Sequence, residues 1–423
     1  MIPAVLTINI GSSGTKFALF RADFLDLVER GVITAPGASP VLTLEGCSCP
    51  RDQRVVPLPH GTGGEDAIRW LLGFVHKRFA GMVLAAVGHR VVHGGLRYVE
   101  PTRLDTGVLA DLESLVPLAP EHQPQALAAI RAIAATDPGL PQVACFDTAF
   151  HRHLPALARR FALPRALHDE GIVRYGFHGL SYEYIASVLP TVAGTCANGR
   201  VIVAHLGHGA SLCAMQNLRS AGTTMGFTPL DGLMMGTRSG GIDPGVLLHL
   251  LETRGMGVHE VHELLAYRSG LRGVSGISGD VQELEASDDP RAREALELFA
   301  QRAAMEIAAQ CVLLGGLDAL VFTAGIGERS AQMRNRICAR LDWLGVDLDP
   351  AANAAHHPQI GRTDSPVPVF VIRTNEELVI ARAAVGLLGD ARRNVARVST
   401  DARVTHPRKP GLPGNATQRG MPA

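Results

Sequence analysis

The chain has 423 residues, of which 46% are hydrophobic and 19% charged, with Lys+Arg and Asp+Glu both at 40. That length suggests two or three domains at roughly 100–200 residues each, and the composition excludes a disordered chain. A net charge of zero excludes a global field that gathers nucleic acid or an anionic membrane surface, so any anion must be bound locally.

The opening residues, Met1 to Ile10, are apolar but carry neither a basic leader nor a small-residue cleavage site, so a strand is expected there, not a signal peptide. Val5 to Ile10 ends at Gly11-Ser-Ser-Gly14, and Phe17-Ala-Leu-Phe20 resumes the apolar pattern as strand, turn, strand. Helical periodicity follows at 65–80, 106–115 and 124–135, with strands at 83–87 and 142–146. From Val201 the opening grammar returns as Val201-Ile-Val-Ala-His-Leu206, then Gly207-His-Gly209, then Ala210-Ser-Leu-Cys-Ala-Met215. A helix at 290–314 and strands at 319–323 and 367–372 complete this second region. Two glycine-turn hairpins, each heading a domain-sized stretch, predict two similar α/β domains facing each other across a cleft.

After Asp390 the chain carries Arg392, Arg393, Arg397, Arg403, Arg408, Lys409 and Arg419 with almost no apolar periodicity, which predicts a mostly disordered basic tail over 391–423. Seven cysteines, an odd count without C-x-x-C, predict reduced thiols in a cytoplasm and no cysteine zinc site. The greasiest stretch, 308–327, is interrupted by Gln310, Gly315-Gly316 and Asp318, which argues against a spanning helix.

Several glycine-rich stretches carry polar side chains. In Asn9-Ile-Gly-Ser-Ser-Gly-Thr-Lys16, backbone N–H groups can approach an anion while Lys16 adds charge. The chain has three lysines, and one stands in this turn, where a compact ammonium binds phosphate differently from a forked guanidinium. Neither G-x-x-x-x-G-K-[ST] nor a G-x-G-x-x-G after the first strand is present, which removes the P-loop and dinucleotide readings. His205-Leu-Gly-His-Gly209 can cradle further phosphates, and the glycine turn Phe322-Thr-Ala-Gly-Ile-Gly-Glu328 can lie flat against a base or ribose. Gly88-His-Arg-Val-Val-His-Gly-Gly95, Arg174-Tyr-Gly-Phe-His-Gly179 and Gly236-Thr-Arg-Ser-Gly-Gly-Ile-Asp-Pro244 each set Arg or His beside flexible backbone, as ligand sites often require. His89 with His93, and His259-Glu-Val-His262, lack the order of a zinc helix.

Taken together and in order, these stretches resemble the acetate kinase family, within the actin-like superfamily of acetate and sugar kinases, from Val5 to about Gly389. Further matches are Phe146-Asp-Thr-Ala-Phe-His151, Met225-Gly-Phe-Thr-Pro-Leu-Asp-Gly-Leu-Met-Met-Gly-Thr-Arg-Ser-Gly240 and Thr374-Asn-Glu-Glu-Leu378. The resemblance implies a duplicated actin-like (ribonuclease H-like) two-domain ATPase fold with an interdomain cleft. The first domain spans 1–147, completed by 377–390, and the second spans 148–376. It also implies a cytoplasmic homodimer, without nucleic-acid or membrane partners, that moves phosphate between ATP (or ADP in reverse) and a short carboxylate with Mg²⁺, or Mn²⁺ in its place. Acetate is the first acid expected, with propionate or butyrate next. A relative that binds nucleotide without turnover is the alternative.

By that resemblance Arg90 and Arg238 flank the transferring phosphoryl group, Arg90 also grips the substrate carboxylate, and His178 donates to the phosphoryl oxygens. Asp147 is the matching active-site aspartate, and Asn9 and Glu376 position the metal. Val92, Phe177 and Pro229 line the acyl pocket. Lys16 and the turn His205, Leu206, Gly207, His208 and Gly209 touch phosphates. Asp280, Val281 and Gln282 with Gly325, Ile326, Gly327, Glu328 and Arg329 hold the nucleoside. The chemistry is consistent with these residue types. A carboxylate is already ionised at neutral pH, so its attack on phosphorus needs no base, and what it needs is cancelled charge.

The chain departs from the family pattern at identifiable positions. Gly14 replaces a serine, His208 an asparagine, Gln282 an arginine and Arg329 an asparagine, all on the nucleotide side. On the substrate side Glu121 stands where a leucine lines the pocket, and it is expected to turn away from it. Leu180 and Tyr182 replace a threonine and a histidine, and Gly241 an aspartate.

Overall fold

The computed structural model describes residues 1–11, 14–34, 39–45 and 54–401, with side chains described as far as residue 389. The first apolar run forms β1 (Ile2–Gly11), with Ala4 to Ile8 all buried. Unbroken burial of this kind means that both faces of the strand are covered. Ala4, Leu6 and Ile8 pack beneath the helix Gly64–Arg78, while Val5 meets Val379 and Ile380 of the last helix, Glu376–Asp401.

β2 (Gly14–Arg21) returns antiparallel to β1, and β3 (Leu27–Thr34), β4 (Val41–Glu45) and β5 (Val55–Pro57) continue the meander. On the other side β6 (Met82–Val91) and β8 (Gln142–Phe146) add in parallel, and the short β7 (Thr102–Arg103) closes that edge. The order is β5-β4-β3-β2-β1-β6-β8-β7. The second sheet contains β9 (Arg200–Leu206), β10 (Ala210–Gln216), β11 (Arg219–Thr223), β12 (Ala319–Thr323) and β13 (Val369–Val371), in the order β11-β10-β9-β12-β13. Its β9–β10 and β10–β11 pairs are antiparallel, and its β9–β12 and β12–β13 pairs are parallel. Strands β3-β2-β1-β6-β8 therefore repeat as β11-β10-β9-β12-β13 with the same directions, which is the duplication that the two hairpins predict.

Helices Gly64–Arg78, Thr106–Ser114, Gln123–Thr136 and Pro290–Leu314 fall close to their expected spans. β6 runs further than expected, through Gly88, His89 and Arg90, because ladders to β1 and β8 on either side hold residues that lack a strand-like pattern. At Gly88 a Cβ would stand 2.4 Å from Ile380 Cγ2, so glycine lets the last helix lie directly on this strand. Two expectations need correction. The Phe322–Glu328 stretch is not a turn throughout, since Ala324–Arg329 is a short helix whose first N–H donates to Glu328 Oε1 at 2.9 Å. The last helix continues to Asp401 as backbone, past Asp390 where a tail was expected to start, and residues 402–423 lie outside those described. Ser12, Ser13, Cys47 and Cys49 lie outside them as well.

Cys145, Cys196, Cys213, Cys311 and Cys338 are free. Among the described residues no helix is long and apolar enough to cross a membrane.

Candidate active site

Parallel pairing of β6 with β8 sets Arg90 opposite Cys145 and Val91 opposite Phe146, so Asp147, just beyond β8, emerges beside Arg90. Arg90 Nε donates to Asp147 Oδ1 at 2.9 Å and Nη2 donates to Oδ2 at 2.6 Å, a bidentate clasp. Its Nη1 turns to Asn9 Oδ1 at 3.2 Å. Burial opposes the Arg90 charge, but the attraction and hydrogen bonds of Asp147 outweigh it and raise the pKa, so this guanidinium stays charged. The Asp147 carbonyl accepts the Gly179 N–H at 2.8 Å and ties the helix Gly179–Ala193 to the first sheet.

His178 precedes that helix with a left-handed backbone, φ 58° and ψ 24°, at a cost of about 1 kcal/mol for a residue with a Cβ. Its Nδ1 lies 2.8 Å from Ser211 Oγ on β10, and its ring stacks on His205 with centroids 4.1 Å apart. Burial, followed by the interaction with the His205 ring and the charges of Arg90 and Arg238, holds its pKa well below 6.5. Arg238 donates through Nη1 to the Pro229 carbonyl at 3.3 Å and through Nη2 to His122 Nε2 at 3.2 Å. At Gly209 a Cβ would stand 3.3 Å from His178 Nε2 and 3.6 Å from Arg238 Nη1, so this glycine keeps the space beside both groups open.

Glu121 does not turn away. Its carboxylate lies 3.9 Å from Arg238 Nη2 and 3.6 Å from His262 Nε2, and it hydrogen-bonds Tyr267. The expectation fails because Arg238 is almost fully buried and a nearby carboxylate gains more by facing that charge than by pointing to water. Val92 and Phe177 belong to one buried apolar cluster, and Pro229 is joined to Arg238 through its carbonyl.

Asn9 Nδ2 donates to Glu376 Oε2 at 2.9 Å, which brings the first strand to the start of the last helix. Burial, then the Glu376 charge, raises the pKa of the adjacent Glu377. Lys16 stands on β2 opposite Asn9, not in the turn itself, and its charge acts on Glu377 and His205.

A separate open cavity of about 160 Å³ is lined by Gly207, His208, Gly279, Asp280, Val281, Gln282, Gly325, Ile326, Arg329 and Ser330. Most of the expected nucleoside residues thus converge there. Glu328 instead accepts from the Ala324 and Thr374 N–H groups at 2.9 and 3.1 Å, Leu206 is fully buried in the second core, and His205 sits beneath His178. Gly279 and Ser330 at the cavity were not anticipated, nor were Ser211, Tyr182 and His122 near His178 and Arg238. The i, i+4 spacing of His178 and Tyr182 at the start of one helix was the available signal for Tyr182.

Five histidines near this cleft are kept neutral chiefly by burial: His89, His93, His122 and His151 are pushed down to about 4, and His205 to about 3. Below pH 6.5 the unfolded chain takes up protons that the folded chain refuses until about pH 4, so stability falls as the pH drops through that window. The loss is up to about 1.4 kcal/mol per pH unit for each such histidine. Urea midpoints are expected to fall clearly from pH 7 to pH 5, and equal midpoints contradict the neutral assignment.

A family model described as the acetokinase family matches residues 4–382. An acetate kinase of Rhodopseudomonas palustris is 51% identical over 392 residues, covering 90% of this chain and 98% of the relative. One from Rhizobium meliloti is 45% identical over 394 residues, covering 91% and 98%. Among solved structures, a propionate kinase from Francisella tularensis superposes with a TM-score of 0.84 at 34% identity, covering 90% of this chain and 99% of that one. Porphyromonas gingivalis acetate kinase superposes with a TM-score of 0.80 at 34% identity, covering 91% and 100%. With nearly its whole folded length matched in sequence and its duplicated sheets matched in structure, the chain belongs to the acetokinase family.

Proposed function

We propose that the protein transfers the γ-phosphoryl group of ATP directly to acetate, giving acetyl phosphate and ADP, and runs the reaction in reverse. The observation that carries this reading is the pairing of Arg238 and neutral His178 beside the space that Gly209 leaves open, with the charge of Arg90 acting on both, and with the open cavity beginning at the adjacent Gly207 and His208. Two anions must approach there, and two guanidinium groups offset their repulsion while the charge spread over the phosphoryl oxygens is stabilised in line. Asp147 keeps Arg90 charged and fixes its fork, leaving Nη1 toward Asn9. A neutral His178 donates a hydrogen bond without giving up a proton, which suits a reaction whose nucleophile is already ionised.

Mg²⁺, or Mn²⁺ in its place, fits the Glu376 carboxylate, since such ions use one or two carboxylates plus substrate phosphates and need no all-protein cage; Asn9, whose Nδ2 donates to Glu376 Oε2 while its Oδ1 accepts from Arg90, holds that carboxylate in place. When bound it neutralises charge on the β- and γ-phosphates. The same reading includes a cytoplasmic homodimer, and light scattering on purified protein tests the dimer.

The direct experiment incubates the protein with ATP, Mg²⁺ and hydroxylamine and quantifies acyl hydroxamate across acetate, propionate, butyrate and a hydroxy acid. Acetate is expected to give the fastest product, with propionate slower by a factor within about 10–200, the range for one methylene in an apolar pocket. Chelation is expected to abolish product and Mg²⁺ or Mn²⁺ to restore it. No hydroxamate from any acid overturns the proposal.

A further inference from the structure

Beneath His178 lies a short polar chain that the phosphoryl-transfer reading does not use. His178 Nδ1 is 2.8 Å from Ser211 Oγ, and Ser211 Oγ is 2.5 Å from the Tyr182 hydroxyl. Tyr182 and Ser211 are both 0% exposed, so no bulk water supplies alternative partners. Tyr182 reaches this position because it lies one turn after His178, on the same face of the helix Gly179–Ala193.

The protons on this chain can be arranged in two directions, and the two are unequal. In one, the tyrosine hydroxyl donates to Ser211, Ser211 donates to His178 Nδ1, and the imidazole carries its proton on Nε2. Every donor in the chain then has an acceptor, and an N–H faces the open space at Gly209, where a Cβ would stand 3.3 Å from Nε2. In the reverse direction His178 Nδ1–H donates to Ser211 and Ser211 donates to the tyrosine. The phenol proton then has no acceptor among these groups in a fully buried site, and a lone pair on Nε2 faces the incoming phosphoryl oxygens. A buried unsatisfied donor costs about 1–3 kcal/mol, so the first arrangement dominates at equilibrium.

We propose that Tyr182 and Ser211 are positioning residues that fix His178 as the Nε2–H tautomer, so that it is a hydrogen-bond donor to the transferring group before substrate arrives. This deepens the phosphoryl-transfer reading and rests on it for its kinetic consequence, but not for the tautomer itself. His205 stacks on the same ring, and Arg90 and Arg238 are its charged neighbours. Burial first, and then these neighbours, disfavour a doubly protonated imidazole, so the choice lies between the two neutral forms. Tyr182 is buried with its pKa pushed well above 10, so it remains a donor across the working range.

The test has a spectroscopic and a kinetic arm. Long-range ¹H–¹⁵N spectra of histidine-labelled protein, with the His178 signals identified by their loss in His178→Asn, report which ring nitrogen carries the proton without any turnover. Wild type is expected to show Nε2–H, and Tyr182→Phe a mixture of the two forms. In the hydroxamate assay Tyr182→Phe is expected to lower kcat about five- to tenfold, with KM for acid and nucleotide within about twofold, as the loss of one hydrogen bond felt in the transition state implies. Ser211→Ala is expected to lower kcat at least as much. An Nδ1–H tautomer in wild type overturns the proposal, as does an unchanged His178 signature in Tyr182→Phe or a loss confined to KM. If wild type makes no hydroxamate but shows Nε2–H that Tyr182→Phe disturbs, the function reading fails and the tautomer assignment stands.

Discussion

Arg238→Ala is expected to lower kcat at least about a hundredfold while the protein remains folded, because removing one preorganised transition-state donor typically costs two to three orders of magnitude. Arg238 is held by the Pro229 carbonyl, His122 and Glu121. These contacts fix a charge beside the open space at Gly209. Lysine in its place keeps a charge but loses the fork, so Arg238→Lys should recover only part of the rate. The alanine variant leaves Glu121 partnered by His262 and Tyr267 and partly exposed, so circular dichroism and the urea midpoint should change little. Turnover near the wild-type value in Arg238→Ala defeats its assignment to the transferring phosphoryl group. Glu121 marks the same point from the other side: an acid in a supposedly apolar lining is tolerated because a buried guanidinium lies next to it.

Arg334→Ala is expected to cause the largest loss of stability of any single change near the cavity proposed to hold the nucleoside. Arg334 is 0% exposed, and its guanidinium donates to the Gly327 and Glu328 carbonyls at 2.9 and 3.1 Å, to Asn353 Oδ1 and the Asn353 carbonyl at 2.8 Å each, and to His356 Nδ1 at 3.0 Å. Burial pulls its pKa down to about 10, which leaves it charged at neutral pH. The partners are three backbone carbonyls, an amide oxygen and an imidazole nitrogen, so no contacting carboxylate holds the charge. Removing the side chain strands several buried acceptors and opens a void, which together cost about 3–5 kcal/mol. The helix Ala324–Arg329 bears Gly325, Ile326 and Arg329 of the cavity lining, and Arg334 is one of its anchors. The variant should therefore show a lowered urea midpoint together with a raised KM for ATP and an almost unchanged KM for acetate. Equal changes in both KM values, or a midpoint within error of wild type, contradict this role.

Much of the architecture was legible before any coordinates. Alternating apolar helices and β-branched strands specify α/β layers because periodicity reports which face of a local segment is buried. The two hairpins, at Val5 to Phe20 and Val201 to Met215, announced the repeated sheet because each is a local unit with its own turn chemistry. Arg90, Asp147, His178 and Arg238 were singled out because each lies in a glycine-rich stretch or matches a family motif. Tertiary structure alone decided who partners whom. Arg334 sits in a helix whose sequence reads as polar surface, and its burial depends on Asn353 and His356 arriving from another segment. Glu121 meets His262, 141 positions further along, and Tyr182 on a helix meets Ser211, 29 positions further along, on a strand. The Gly-Ile-Gly stretch reads as a turn because glycine disfavours helix, yet it is helical where Glu328 takes up its first N–H. Local propensity and spacing act over a few residues and so determined the elements. The direction of a buried charge or proton depends on the groups that surround it, and only the folded chain brings those together.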